Sequence, residues 1–274
     1  MIRWPAWHEN PMIRVALLAA LAASSLAAQD WAIAKLAKSP RHQEWVTVKH
    51  EGRSVETFVV YPESAAKTPV VVIIHEIFGM TDWVEDLADQ VAEAGYIAVA
   101  PDLLSGMAPN GGRTKDFQPN TVIEAVSHLN PDQITADLNA VADYGLKQPA
   151  ANGELFVAGF CWGGGQSFRF ATNRPSLKAD FVFYGAPPAA DAMARINVPV
   201  YGFYAGNDAR INATLAAAKE QMAAAHKQYD PVVYDGAGHG FMRAGEDPAG
   251  NEANQKARAA AWARWKQLLT ERSQ

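Results

Sequence analysis

The sequence has a single cysteine, Cys161, among its 274 residues. One cysteine excludes an internal disulfide framework and the cysteine-rich sites that hold zinc or iron–sulfur clusters. Basic residues are also in deficit, because 24 Lys and Arg stand against 29 Asp and Glu, which gives a net charge of −5. This balance argues against nucleic acid as the partner, since binding to phosphates needs a basic surface.

Motifs for metals and nucleotides are missing as well. The sequence contains no His-Glu-x-x-His and no cluster of Cys and His residues, so we expect no metal site. It contains no P-loop and no Gly-x-Gly-x-x-Gly after a predicted strand, so nothing indicates a bound nucleotide. What the sequence does have is 49% hydrophobic residues, which excludes intrinsic disorder and suits one α/β domain or two small ones.

The main long hydrophobic run lies near the N-terminus. A basic residue precedes the apolar stretch Val15–Ala23, and small residues follow it, as is typical of a secretory signal peptide. The stretch is too short for a membrane span, which needs about 20 apolar residues. We therefore predict a signal peptide over residues 1–28, with translation starting at Met1 or Met12, and an exported domain over residues 29–274 that is periplasmic or secreted. The alternative is an Ala-rich amphipathic helix.

The rest of the chain alternates short apolar runs with longer amphipathic ones. The apolar runs are rich in Val, Ile, Phe and Tyr and end at Gly, Pro or Asp, which predicts strands. The predicted strands are Val46–His50, Val55–Val60, Val70–Ile74, Ile97–Ala100, Leu155–Ala158, Phe181–Tyr184, Val198–Tyr204 and Pro231–Tyr234. The predicted helices are Trp83–Ala94, Asp132–Lys147, Gly163–Thr172, Ala213–His226 and Asn251–Leu269.

The strands predict how the sheet is built. Val70–Ile74 is apolar throughout, and strands buried on both faces belong to parallel sheets covered by helices. Strand–helix alternation therefore predicts one doubly wound, mostly parallel sheet flanked by helices. Leu104–Thr121 does not fit this pattern, since it is rich in Pro, Asn and Gly; it is either a lid over a site or an ordinary surface loop.

The strongest local motif surrounds Cys161. The sequence Gly159-Phe160-Cys161-Trp162-Gly163 lies between a predicted strand and a predicted helix, as in a nucleophile elbow. Glycines on both sides permit a sharp turn that raises the central side chain above the edge of the sheet. The start of the following helix favours an anion nearby, which suits a thiolate or an oxyanion. A small buried cysteine beside a Gly-rich turn is the alternative interpretation.

A cysteine nucleophile needs a base and an acid that orients the base. His239 lies in a Gly-rich loop after the last predicted strand, and Asp208 follows the strand Val198–Tyr204. The order Cys161, Asp208, His239 is the nucleophile–acid–histidine order of α/β-hydrolases. Taken singly, His239 reads as a loop residue and Asp208 as a turn or cap residue, but together they predict a catalytic triad.

An oxyanion hole in this type of fold uses two backbone N–H groups. The first donor is predicted to be Trp162, directly after the cysteine. The second is expected in the turn His75-Glu76-Ile77-Phe78-Gly79 after an early strand, with Ile77 as the candidate. Glu76 in that turn would compete with the cysteine for its proton, or would simply cap the next helix.

These motifs together resemble the dienelactone hydrolase family, the carboxymethylenebutenolidases. The resemblance runs from Val46 to the C-terminus and is carried by His-Glu-Ile-Phe-Gly at 75–79, Pro-Asp-Leu at 101–103, the turn at 159–164, Asp208 and His-x-Phe-x-Arg at 239–243. It implies an α/β-hydrolase fold, a Cys–His–Asp triad and no cofactor. It also implies that Glu76 keeps the thiol protonated until substrate arrives and then takes its proton.

The resemblance also implies how substrate is bound. In the family two arginines hold a substrate carboxylate, and Arg243 matches one of them. The other normally follows the Asp-Leu-aromatic stretch, which here reads Asp-Leu-Leu-Ser-Gly at 102–106 without an arginine. Arg113, from the irregular loop, is the candidate replacement. Position 240 is Gly, where enzymes that act on dienelactone tend to have Ser.

The resulting hypothesis is a cysteine-dependent hydrolase of ester or lactone bonds that forms a thioester intermediate. Its partner is a small-molecule ester or lactone, with or without a carboxylate, and we expect neither nucleic acid nor a membrane span in the mature protein. A redox-sensing thiol protein or a noncatalytic binding module on the same scaffold is the alternative, although a redox enzyme would lack a second cysteine.

Overall fold

The computed structural model describes residues 29–273. The predicted signal peptide, residues 1–28, lies outside the described residues. Eight strands form one sheet in the order β1-β2-β4-β3-β5-β6-β7-β8. The strands are β1 Gln43–His50, β2 Arg53–Val60, β3 Thr68–Ile74, β4 Ile97–Pro101, β5 Ala151–Phe160, β6 Ala179–Phe183, β7 Val200–Ala205 and β8 Tyr229–Tyr234.

The direction of the strands confirms the prediction of a mostly parallel sheet. β1 and β2 form an antiparallel hairpin, β2 pairs antiparallel with β4, and all other neighbours are parallel. β3 is buried along its whole length, as expected for a strand covered on both faces. The chain crosses over between β4 and β5, so β3 and β5 lie side by side at the centre, and their carboxyl ends meet there.

Helices cover both faces of the sheet. They are α1 Asp30–Leu36, α2 Asp82–Glu93, α3 Val122–Ser127, α4 Pro131–Leu146, α5 Trp162–Ala171, α6 Ala190–Met193, α7 Ala209–Ala224, α8 Phe241–Ala244 and α9 Glu252–Arg272. One apolar core lies between the sheet and α2, α8 and α9, and the other lies between the sheet and α4, α5 and α7. Each core fills one layer, which gives the doubly wound arrangement predicted from the sequence.

Several sequence predictions differ from the structure in extent. The five predicted helices are present with shifted ends, while α1, α3, α6 and α8 were not predicted because their four to seven residues are too short for a clear period. Among residues 29–273, no helix is both long and apolar enough to cross a membrane.

The irregular segment 104–121 is anchored at its base. It contains three 3-10 turns, Pro109–Gly111, Thr114–Asp116 and Pro119–Thr121. Asp102 is fully buried and accepts hydrogen bonds from the backbone N–H and the hydroxyl of Thr114, at 2.9 and 2.7 Å. These bonds tie the segment to the end of β4, so part of it is a fixed wall beside the carboxyl edge of the sheet.

Candidate active site

The sharp strand-to-helix turn predicted around Cys161 is present. β5 ends at Phe160, α5 begins at Trp162, and Cys161 between them has φ 56° and ψ −118°. Such a conformation costs a non-glycine residue about 1–3 kcal/mol and is characteristic of functional turns. Close packing holds the turn in place: a Cβ at Gly159 would overlap the backbone of Gly163. The strain and the tight packing both serve to raise the Cys161 side chain above the sheet.

The three residues predicted as a triad meet at this edge. The Nε2 atom of His239 lies 3.0 Å from the sulfur of Cys161, and its Nδ1 atom lies 2.5 Å from Oδ2 of Asp208. The Asp208 side chain is 7% exposed and also caps α7 by accepting a hydrogen bond from the backbone N–H of Ile211. This second bond fixes the carboxylate, and the carboxylate in turn fixes the tautomer and the direction of the imidazole.

The two backbone N–H groups predicted as oxyanion donors lie near Cys161. Those of Ile77 and Trp162 act to lower the pKa of its thiol. Next to them, the buried ring of His75 stacks on Trp162 with centroids 5.5 Å apart. Nδ1 of His75 donates to the carbonyl oxygen of Glu76 at 2.7 Å. These contacts fix the turn that presents the Ile77 N–H.

Glu76 acts on Cys161 through its charge and is paired with Arg243. Its side chain is 3% exposed, and Oε2 accepts a hydrogen bond from Nε of Arg243 at 2.7 Å. Oε1 accepts one from the hydroxyl of Tyr184 at 3.3 Å. A buried carboxylate persists when such partners compensate its charge. Glu76 is therefore held at the site by an ion pair, rather than acting as the cap of the next helix.

The thiol is held in its neutral form in the resting state. Burial raises the pKa of Cys161 to about 12, and the negative charge of Glu76 contributes to the increase. The opposing effects come from the N–H groups of Ile77 and Trp162 and from the positive charge of Arg210. Burial and the charge of Glu76 therefore favour the thiol over the thiolate.

Arg113 does not lie where the sequence-based hypothesis needs it. Its guanidinium carbon lies 3.4 Å from the ring centroid of Trp45, and Nη1 lies 4.0 Å from Asp102. This cation–π contact and the nearby buried carboxylate hold the side chain against β1. Arg113 is not among the residues that line the cavity beside Cys161, so the structure gives no support to its assignment as a substrate-binding residue.

That cavity has a volume of about 300 Å³ and opens beside the sulfur. Its lining includes three side chains that sequence reasoning missed, Gln166, Tyr184 and Arg210. Tyr184 directly follows β6 and has a φ of 40°. Its place at the end of a predicted parallel strand is the sequence feature that could have identified it. Gln166 and Arg210 follow Cys161 and Asp208 by only a few residues, but no motif marks them.

No metal-binding cluster of His, Cys, Asp and Glu is found within residues 29–273. The charged and titratable side chains near Cys161 include an imidazole, two carboxylates and two arginines, and each carboxylate already has a partner: Asp208 pairs with His239, and Glu76 with Arg243. What this arrangement can do chemically is move a proton between sulfur and imidazole and stabilise an oxyanion.

The strand order, the two helical layers and the elbow at the carboxyl edge define an α/β-hydrolase fold. The model of the dienelactone hydrolase family matches residues 55–273. The chain therefore belongs to the dienelactone hydrolase family, a family of ester and lactone hydrolases.

Individual relatives agree with this assignment. The chain is 30% identical over 224 residues to a "Putative carboxymethylenebutenolidase" of Salmonella typhi, covering 77% of this chain and 81% of the relative. The crystal structure of a "Putative Dienelactone Hydrolase" from Klebsiella pneumoniae superposes with a TM-score of 0.74 at 26% identity. The alignment covers 84% of this chain and 98% of the Klebsiella chain. Dienelactone hydrolase from Anabaena variabilis shares the fold, with a TM-score of 0.62 at 20% identity over 81% and 96% of the two chains.

Proposed function

We propose that this protein hydrolyses ester or lactone bonds with Cys161 as the nucleophile and a thioester as the intermediate. The observation that carries the proposal is the hydrogen-bonded line from Cys161 through His239 to Asp208 at a strained elbow. A nucleophile within hydrogen-bond reach of a base, and a base oriented by an acid, is the arrangement that activates a weak nucleophile.

In the first half of the reaction, His239 Nε2 takes the thiol proton while the sulfur attacks the carbonyl carbon. The carbonyl oxygen becomes an oxyanion and accepts hydrogen bonds from Ile77 and Trp162, each worth about 3 kcal/mol in the transition state. Asp208 stabilises the imidazolium that forms. The intermediate then collapses to a thioester, and the departing alkoxide takes the proton from His239.

In the second half, His239 removes a proton from water, and the resulting hydroxide attacks the thioester carbon. The same two N–H groups hold the second oxyanion. When the carbon–sulfur bond breaks, the thiolate recovers its proton from His239 and the carboxylic acid leaves. For a lactone, the alcohol released in the first half stays attached to the acyl group, so the product is one hydroxy acid.

Glu76 sets the state of the thiol between turnovers. Its charge, together with burial, keeps Cys161 protonated, and a neutral thiol is less exposed to oxidation than a thiolate. The proton that leaves the sulfur goes to His239, and Glu76 acts on the thiol through its charge. Arg243 acts through Glu76 by holding its carboxylate, and it reaches substrate only when that pair opens.

We also propose that residues 1–28 direct export, so that the enzyme works outside the cytoplasm. A basic residue, a short apolar stretch and a small-residue exit support this. Expression of the full chain followed by N-terminal sequencing of the recovered protein tests it. Mature protein that begins near residue 29 supports the proposal, whereas cell-retained protein that keeps its original N-terminus contradicts it.

The central experiment compares the purified protein with Cys161→Ala on dienelactone and on 4-nitrophenyl acetate. We expect turnover of at least one substrate and its loss in the variant, with both proteins showing the same circular dichroism and thermal unfolding. Mass spectrometry of the protein quenched during turnover should show an added acyl group, absent from Cys161→Ala. Activity retained without Cys161 would overturn the assignment, and no turnover of either ester by the parent protein would favour a redox-sensing or noncatalytic thiol.

A further inference from the structure

The N-terminal segment, residues 29–42, precedes the part of the chain that the family model matches, which begins at residue 55. It contains α1 and the turn that leads into β1, and it is bonded to α2 near both of its ends. Near the first end, Oε1 of Gln29 accepts a hydrogen bond from the backbone N–H of Trp83 at 2.6 Å. Near the second, Arg41 donates two hydrogen bonds to the carboxylate of Asp89, at 3.0 and 2.6 Å. The family match therefore gives no role to a segment that the structure holds firmly in place.

Between these two ends, Lys35 contacts the part of the chain that carries His239. The histidine segment, residues 238–246, contains His239, α8 and, at its end, Glu246. Nζ of Lys35 donates a hydrogen bond to Oε1 of Glu246 at 2.8 Å. The backbone N–H of Glu246 in turn donates to the carbonyl oxygen of Arg243 at 3.1 Å. A short series of contacts therefore joins α1 to the segment that places both His239 and Arg243 at the site.

Glu246 is the junction of this arrangement. Its side chain is 3% exposed, and its carboxylate contacts donors from three helices at 2.5–3.1 Å: Lys35 on α1, Trp83 and Gln90 on α2, and Arg258 on α9. The other end of the histidine segment is fixed separately, because Oδ1 of Asn254 on α9 accepts a hydrogen bond from the backbone N–H of Gly238 at 2.8 Å. The histidine segment is thus held at both ends, and of the three helices that hold Glu246 only α1 precedes the region that the family model matches.

The charges at this junction favour a positioning role over a stabilising one. Burial by itself would raise the pKa of Glu246, but the positive charges of Arg258 and Lys35 outweigh it and lower that pKa. Glu246 shares Lys35 and Gln90 with a second buried carboxylate, Asp86, and burial together with the charge of Glu246 raises the pKa of Asp86 to about 7. Well-packed apolar residues of similar volume often stabilise such a buried site at least as well. What the polar groups add is a fixed geometry, because each hydrogen bond specifies where the carboxylate lies.

His239 depends on such support because its local backbone is not rigid. Gly240, the next residue, has a φ of 78°, and α8, which follows it, has only four residues. A helix of that length is not stable by itself, so packing and side-chain contacts must hold it. The chemistry needs the imidazole within hydrogen-bond distance of both Cys161 and Asp208, and a displacement of about 1 Å can cost about a hundredfold in rate.

We propose that the N-terminal segment positions His239 for catalysis, and that the contact between Lys35 and Glu246 is the one through which it acts. The inference rests on the proposed function, since it assigns two positioning residues to the same site. Neither residue is among those that line the cavity beside Cys161, so neither touches a substrate bound there. Loss of the contact should therefore lower kcat with little change in KM.

The test variant is Lys35→Met, which removes the cation but keeps a long side chain beside the ring of Trp31. Because Lys35 is half exposed, its ion pair contributes little to stability, and the variant should unfold at the temperature of the parent protein. Lys35→Arg is the conservative variant and should keep the contact. The control is Lys38→Met, since Lys38 is an exposed lysine of the same segment that is not a partner of Glu246 in the described part of the chain.

On 4-nitrophenyl acetate, we expect Lys35→Met to lower kcat about fivefold at an unchanged KM, because His239 serves both halves of the reaction. Lys35→Arg and Lys38→Met should stay within about twofold of the parent protein. Glu246→Gln should also lower kcat, and adding Lys35→Met to it should have almost no further effect, because the two residues act through one contact. An unchanged kcat in Lys35→Met, an equal loss in Lys38→Met, or a loss that adds fully to that of Glu246→Gln would overturn the proposal.

A measurement without substrate separates this proposal from the proposed function. The Nδ1–H of His239 lies in a short hydrogen bond to Asp208 and should give a proton resonance far downfield, identified by its absence from His239→Gln. This resonance should weaken or broaden in Lys35→Met, because a loosened imidazole exchanges the proton with water more readily, and it should persist in Lys35→Arg and Lys38→Met. That result supports the positioning role even if the parent protein hydrolyses neither ester. A resonance that is the same in Lys35→Met and in the parent protein refutes the role, even if both esters are hydrolysed in a Cys161-dependent manner.

Discussion

Replacing Glu76 with Gln should make the Cys161 thiol markedly more acidic. Gln keeps the size of the side chain and an oxygen that can accept the hydrogen bond from Arg243, but it removes the negative charge that raises the pKa of the thiol. The freed positive charge of Arg243 then also acts on Cys161. Both changes favour the thiolate.

The magnitude follows from the pKa of the resting thiol. Burial and Glu76 together raise it from 9.0 to about 12, which lowers the thiolate population at neutral pH by about a thousandfold. Burial is the larger of the two causes and persists in the variant. A decrease of about one unit in the thiol pKa on removal of Glu76 corresponds to about tenfold more thiolate, equivalent to about 1.4 kcal/mol.

Alkylation by iodoacetamide measures this directly, because only the thiolate reacts and the chain has one cysteine. The second-order rate constant is recorded from pH 6 to 10 for the parent protein, Glu76→Gln and the control Glu220→Gln, which removes an exposed carboxylate on α7. We expect Glu76→Gln to react about tenfold faster near neutral pH, and the control to match the parent. A Glu76→Gln protein that unfolds at the parent temperature yet alkylates no faster would refute the role assigned to Glu76.

Two further predictions concern the elbow and the core beneath it. Gly163→Ala should lower the free energy of unfolding by about 1–3 kcal/mol, because its Cβ would overlap the carbonyl oxygens of Ile74 and His75. Gly165→Ala is the control, since a Cβ there meets no atom closer than 3.4 Å. Equal urea midpoints for the two variants would count against the packing argument. Burial raises the pKa of Asp180 from 3.8 to about 8, so the folded state binds one proton more than the unfolded state between these pH values. The free energy of unfolding should therefore fall by up to about 1.4 kcal/mol per pH unit as the pH rises through that window. Asp180→Asn should flatten this slope in urea titrations, and an unchanged slope would contradict the prediction.

Much of the fold was predictable because its signals are local. Val70–Ile74 is apolar at every position, and only a strand buried on both faces makes use of such a run. The Gly–Cys–Gly turn was predictable from its motif, but only Gly159 is explained by a contact inside the turn, with Gly163; the contacts of Gly163 itself are with Ile74 and His75, which are distant in sequence. The strand-end positions of Asp208 and His239 then follow from parallel topology, which brings successive carboxyl ends to one edge.

What the sequence could not indicate depends on contacts between distant segments. Arg113 was assigned to substrate because it is the arginine of the irregular loop, but Trp45, which is distant in sequence, holds it on β1. No local pattern encodes a cation–π contact between the loop and the first strand. The helix α1 was missed for a related reason, since it is short and its position depends on packing against α2. The side chain of Gln29, just before α1, accepts a hydrogen bond there from the backbone N–H of Trp83.

The two arginines near the sulfur show why residue type alone does not assign a role. Arg243 is paired with the buried carboxylate of Glu76, whereas the exposed side chain of Arg210 lines the cavity beside the sulfur. Arg243 holds Glu76 in place, and the charge of Glu76 raises the pKa of the Cys161 thiol. Arg210 acts to lower that pKa. One arginine therefore influences the thiol through the carboxylate that it holds and the other through its own charge, and the Glu76→Gln variant examines the first of these routes.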